Sequence, residues 1–116
     1  MGQRRSALPL RIGGCLCGDV GFEIYGELRP IIACHCEQCR RTTGHYTAAT
    51  AGHSDNLSVT IEDGLRWYRS APDAKRGFCC HCGSSIFWQG PDESFVSISV
   101  GVLGDSDGLD LVGHLF

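Results

Sequence analysis

Residues 79–83 read Cys79-Cys80-His81-Cys82-Gly83, a C-x-x-C motif closed by a glycine. Residues 15–18 read Cys15-Leu16-Cys17-Gly18, a C-x-C motif closed the same way. Cysteines two or three positions apart on a tight turn present two thiolates to one tetrahedral metal ion. The glycine after each pair lets the backbone wrap the ion and aim its N–H groups at the sulfurs. A third cluster, Cys34-His35-Cys36-Glu37-Gln38-Cys39, is a C-x-C-x-x-C.

These clusters hold all eight cysteines of the 116-residue chain. An even count in a small chain could instead indicate disulfides. The N-terminus MGQRRSALPLRIGG carries the arginine pair Arg4-Arg5 but no apolar stretch of signal-peptide length after it, and the cysteines are bunched rather than spread across loops. Reduced thiols and a cytoplasmic location are therefore expected. No run approaches a membrane span.

Ligand counting divides the clusters. Cys15, Cys17, Cys79 and Cys82 give four sulfurs, a closed structural zinc site joining the two halves of the chain. Cys34, Cys36 and Cys39 give three sulfurs and no evident fourth, the arrangement of a zinc with an open position. Two Zn²⁺ per chain are expected. Other partitions stay open: Cys80-His81-Cys82 offers a C-x-C, and a single four-cysteine ribbon could leave spare cysteines packed as small hydrophobes. Cys80 fits neither site.

Hydrophobic residues make up 42% of the chain and charged residues 20%, enough for one packed domain and against disorder. Sixteen glycines point to many turns. Alternation marks Asp19 to Tyr25 as a strand with Val20, Phe22 and Ile24 inward, and Phe95 to Val102 as another. Shorter strands are expected at Ile31–Ala33, Tyr46–Ala51, Leu57–Ile61, Leu65–Tyr68 and Ser85–Trp88. Leu57–Ile61 and Leu65–Tyr68 are joined by Glu62-Asp63-Gly64, a turn signal. Glu37 to Thr43 reads as one short helical turn. Residues 1–116 thus read as one all-β, zinc-stabilised domain, with residues 1–11 a flexible tail. The exposed edges of such a domain offer a route to oligomers. A formal net charge of -3 without a dense basic patch argues against nucleic acid as a partner.

Three linked stretches resemble the glutathione-dependent formaldehyde-activating enzyme family, which includes relatives of centromere protein V. They are residues 13–20 (GGCLCGDV), 34–44 (CHCEQCRRTTG) and 76–85 (RGFCCHCGSS), in the family's order. The resemblance implies coiled antiparallel strands around zinc, similar to methionine sulfoxide reductase B. It implies the same ligand partition, with Cys34, Cys36 and Cys39 at the active-site zinc. It also implies a carbon–sulfur lyase-type reaction forming S-(hydroxymethyl)glutathione from glutathione and formaldehyde. Family members continue past the segment resembling Gly113–Phe116, so the sequence reads as lacking a C-terminal segment.

Three thiolates around Zn²⁺ leave a net negative charge, which suits capture of an incoming thiol better than activation of water. The partners expected are therefore a small-molecule thiol and a small electrophile. Glutathione carries two carboxylates, and Arg40 and Arg41, just after the last ligand, are candidates to bind them. His35 is a candidate for the mouth of the site. The remaining histidines read as non-ligands, because thiolates already account for the metals. Trp67, Tyr68, Phe87 and Trp88 read as core or pocket wall. The competing function is a non-enzymatic zinc module that binds another protein, which would be favoured if Cys80, His35 or His81 filled the fourth position.

Overall fold

The computed structural model describes residues 10–116, which form ten strands and one short α-helix. A three-stranded sheet has the order β1 (Leu10–Gly14), β2 (Gly21–Tyr25), β5 (Leu57–Ile61). A seven-stranded sheet has the order β10 (Leu111–Leu115), β3 (Ile31–Cys34), β4 (Thr47–His53), β9 (Phe95–Ser99), β8 (Ser85–Gln89), β7 (Ala74–Cys79), β6 (Leu65–Ala71). All pairings are antiparallel except that of β10 with β3, which is parallel. The all-β reading holds.

The two sheets meet through the residues that alternation pointed inward. Val20, Phe22 and Ile24 are buried against Ile86, Phe87, Val96 and Ile98. The Phe22 and Phe87 rings meet edge to face at 5.1 Å. Each such side chain contributes about 1.5–3 kcal/mol by leaving water. Gly13 makes the contact possible, since a Cβ there would stand 2.3 Å from the Phe22 ring.

Several strand boundaries differ from the sequence reading. Leu10 and Arg11, assigned to a flexible tail over residues 1–11, lie in β1 and pair with Tyr25 and Ile24; residues 1–9 lie outside the described residues. The strand expected over Phe95 to Val102 ends at Ser99, and Val100–Val102 form a 3-10 turn. Glu62-Asp63-Gly64 does turn the chain, but it carries it from one sheet to the other. β5 pairs with β2, and β6 pairs with β7. The helix α1 (Glu37–Thr43) spans seven residues and ends at Gly44, whose φ of 91° needs glycine.

The seven-stranded sheet has two unlike faces. Cross-strand partners share a face, so Ile32, Ala49 and Ser99 lie together, as do Cys34 and Thr47. Between them Ala33, Thr50, Val96 and Ile98 are buried on the opposite face. The first face, with Ile32, Cys34, Thr47, Ala49 and Ser99, lines a cavity.

Candidate metal centres and cavity

The four-sulfur group sits where two turns meet. Cys15 and Cys17 lie in the β1–β2 connection, Cys79 ends β7, and Cys82 lies in the β7–β8 turn. Their four sulfurs lie within 4.8 Å of one another. The Cys15–Cys17 and Cys17–Cys79 sulfur distances are both 3.7 Å. Sulfurs at the corners of a tetrahedron around an ion 2.3 Å away stand about 3.8 Å apart. The thiols therefore already have the spacing a bound ion requires.

The backbone shapes this group as the glycines suggested. Gly18 and Gly83 have φ of 88° and 80°, left-handed values that turn the chain back toward the sulfurs. The Val20 amide donates to the Cys15 sulfur at 3.2 Å. The Gly83 amide donates to the Cys79 carbonyl at 2.8 Å. Ser84 links the two turns: its hydroxyl accepts from the Leu16 amide and contacts the Cys82 sulfur, both at 3.2 Å. Gly64 closes the remaining side, its carbonyl accepting from the Cys80 amide and its amide donating to the Asp19 carbonyl.

Crowding of the four thiols drives their proton affinities apart. The Ser84 hydroxyl and the backbone amides of Ser84 and Cys17 pull Cys82 down to about 5. For Cys17 the Asp19 amide favours the thiolate, but desolvation and the neighbouring thiols outweigh it and raise the pKa to about 12.

The second group joins a strand end to the helix that follows it. Cys34 ends β3, Cys36 is the N-cap of α1, and Cys39 lies inside the helix. Their sulfurs also lie within 4.8 Å of one another. The Cys36 sulfur accepts from the Cys39 amide at 3.4 Å, so the helix turns Cys39 back onto the group. Burial pushes Cys34 up to about 11, helped by Cys39 and Cys36. Burial also opposes ionisation of Cys39, but Thr47, Cys34 and Arg76 together hold it below its usual value.

Arg76 is the residue the sequence reading left without a role. From β7 its guanidinium donates to the Cys39 sulfur at 3.7 Å and twice to the Gln38 carbonyl oxygen at 3.2 Å. Gln38 in turn donates to the Ser70 carbonyl at 3.0 Å. The β6–β7 hairpin is thereby tied to the helix that carries two of the three sulfurs.

Cys34, Cys36 and Cys39 line a cavity of about 700 Å³, and the four-sulfur group does not. Tyr68, Phe87 and Trp88 form part of its wall, as do Leu115 and Phe116 at the end of the chain. Trp67 stacks on Phe87 at 5.9 Å from behind. Gly77 brings the two rings together, since a Cβ there would stand 3.1 Å from Trp67.

Arg40 and Arg41 lie on the exposed side of α1 and are not among the lining residues. Arg40 donates to the His35 carbonyl, and Arg41 pairs with Glu37 at 2.9 Å. The cationic residues on the wall are Arg29 and Arg76. His35 stacks on Tyr46 and shares a hydrogen bond with His114 at 2.9 Å, away from the cavity wall. His81 pairs with Asp19 at 2.7 Å, and the exposed Cys80 belongs to neither sulfur group. No helix among the described residues is long and apolar enough to cross a membrane.

An uncharacterised lyase of Schizosaccharomyces pombe is 28% identical over 81 residues, 70% of this chain. The match spans 58% of that relative's length. A crystal structure of a Rhodobacter sphaeroides protein superposes with a TM-score of 0.72 at 26% identity, covering 89% of this chain and 98% of that one. Residues 10–116, including both sulfur groups and the whole cavity wall, match the family profile, and the chain belongs to the glutathione-dependent formaldehyde-activating enzyme family.

Proposed function

We propose that this protein is a zinc-dependent carbon–sulfur lyase-type enzyme that joins glutathione, or a thiol like it, to formaldehyde or a similar small electrophile. The observation that carries the reading is the difference between the two sulfur groups. One has four sulfurs and does not line the large cavity. The other has three and lines the large cavity. All-thiolate donor sets at this spacing suit zinc, so the reading assigns two zinc ions per chain. Cys15, Cys17, Cys79 and Cys82 hold the structural one, and Cys34, Cys36 and Cys39 the other.

Zinc bound by three thiolates supplies a position at which a further thiol is held as its thiolate. The protein's residues do the rest. Arg76 offsets the negative charge gathered at Cys39 and fixes α1 through Gln38. The aromatic wall shelters the reactants from water and holds them together, which supplies the rate gain. In the reaction a bond forms between the thiol sulfur and the carbonyl carbon. The thiol proton ends on the former carbonyl oxygen, and nothing is oxidised. Eight unpaired cysteines suit a reducing compartment such as the cytoplasm.

Cys80, His35 and His81 stand outside the three-sulfur group, which supports the enzyme reading over a purely protein-binding zinc module. The test is exchange NMR on glutathione and formaldehyde with the zinc-loaded protein. Exchange into S-(hydroxymethyl)glutathione above the uncatalysed rate, lost in a folded Cys36→Ser variant, is the expected result. Equal exchange in native protein and variant would rule the reading out.

A further inference from the structure

Resting on that reading, we infer that Arg29 is the specificity-determining residue of the cavity and binds a carboxylate on the substrate thiol. Arg29 precedes β3, and its backbone is fixed on both sides. Its amide donates to the Ala51 carbonyl, and its carbonyl accepts from the Thr50 hydroxyl. Its guanidinium donates once, to the Ala49 carbonyl at 3.0 Å. The Nε–H is buried and has no partner. No salt bridge among the described residues includes Arg29. A half-buried cation with an orphaned donor and no counter-charge is costly unless an anion completes it.

The location gives the anion its meaning. Arg29 lines the same cavity as the three sulfurs. Ala49, which holds the guanidinium, lies two residues along β4 from Thr47, and Thr47 is the cross-strand partner of Cys34. Two residues of strand span roughly 7 Å. That separation suits one short molecule with a sulfur at the cysteines and a carboxylate at the arginine. The other cation on the wall, Arg76, is occupied by Gln38 and Cys39. Burial also pushes the Arg29 pKa below the usual guanidinium value, the mark of a charge lacking compensation.

The test uses cobalt-substituted protein and two thiols that differ only in charge, 3-mercaptopropionate and 3-mercaptopropionamide. Binding is read from thiolate-to-cobalt absorbance, independently of turnover. The native protein should prefer the carboxylate about tenfold or more, the scale of one charge-assisted hydrogen bond. Arg29→Gln should abolish the preference and leave affinity for the amide unchanged, and Arg29→Lys should restore part of it. A merely structural role would weaken both thiols alike. The native ratio needs no variant and decides the matter even where Arg29→Gln fails to fold. Equal binding of the two thiols, or a preference that survives Arg29→Gln, overturns this inference alone. Failure of both thiols to bind overturns the open thiol-binding centre as well.

Discussion

Gly64 presses its bare α-carbon against the sulfur of Cys79: a Cβ there would stand 2.6 Å from it. The same glycine bonds through its backbone to Cys80 and Asp19. Any side chain at this position must displace the Cys79 sulfur. Gly64→Ala should cost about 1–3 kcal/mol, the range for overpacking a filled site. Elemental analysis should find the four-sulfur group depleted of zinc while the three-sulfur group keeps its own.

Arg76 reaches Cys39 across the sheet, and its loss removes a donor from a sulfur that burial already disfavours as a thiolate. Arg76→Met should weaken metal binding at the three-sulfur group by about 10–100-fold, the usual effect of losing a partner of a metal ligand. Competition with a chromogenic chelator measures this. The four-sulfur group, which makes no contact with Arg76 in the structure, serves as the internal control.

Thr50 is fully buried, and its hydroxyl bonds the Arg29 carbonyl. Thr50→Val keeps the shape and deletes the bond. Denaturant unfolding should show a loss of about 1–3 kcal/mol from the group left unsatisfied. Zinc content should not change, because neither sulfur group contacts Thr50.

Cys17 and Cys79 are 62 positions apart in sequence and 3.7 Å apart at their sulfurs. An ion held there closes a long loop and couples its binding energy to folding. Chelation should therefore lower the unfolding midpoint sharply. Cys80→Ser, at an exposed position outside both groups, should stay within about 0.5 kcal/mol of the native protein.

The sulfur groups were legible because metal ligation leaves its spacing in the sequence. Cys15, Cys17, Cys79 and Cys82 converge as ligand counting predicted, and so do Cys34, Cys36 and Cys39. β2 and β9 were legible because each buries one face, so Phe22 and Ile24, or Val96 and Ile98, alternate cleanly. β7 was missed because Lys75, Arg76 and Gly77 interrupt any apolar pattern. β10 was missed because Gly113 breaks a short exposed strand whose partner, β3, lies far back in the chain.

The cavity wall was less legible than the sulfurs. Arg40 and Arg41 drew notice by standing next to Cys39, yet helical periodicity turns them outward. Arg29 and Arg76 reach the wall through strand pairing, which no local pattern records. The aromatic residues Tyr68, Phe87 and Trp88 were readable as wall or core, and all three line the cavity.

The central claim is that two separate zinc ions are bound, one closed and one open to the cavity. Zinc per chain, measured by elemental analysis in the native protein and in Cys36→Ser, tests it most directly. The account predicts two zinc ions falling to one in a variant that remains folded. One zinc in the native protein, unchanged in the variant, would contradict it.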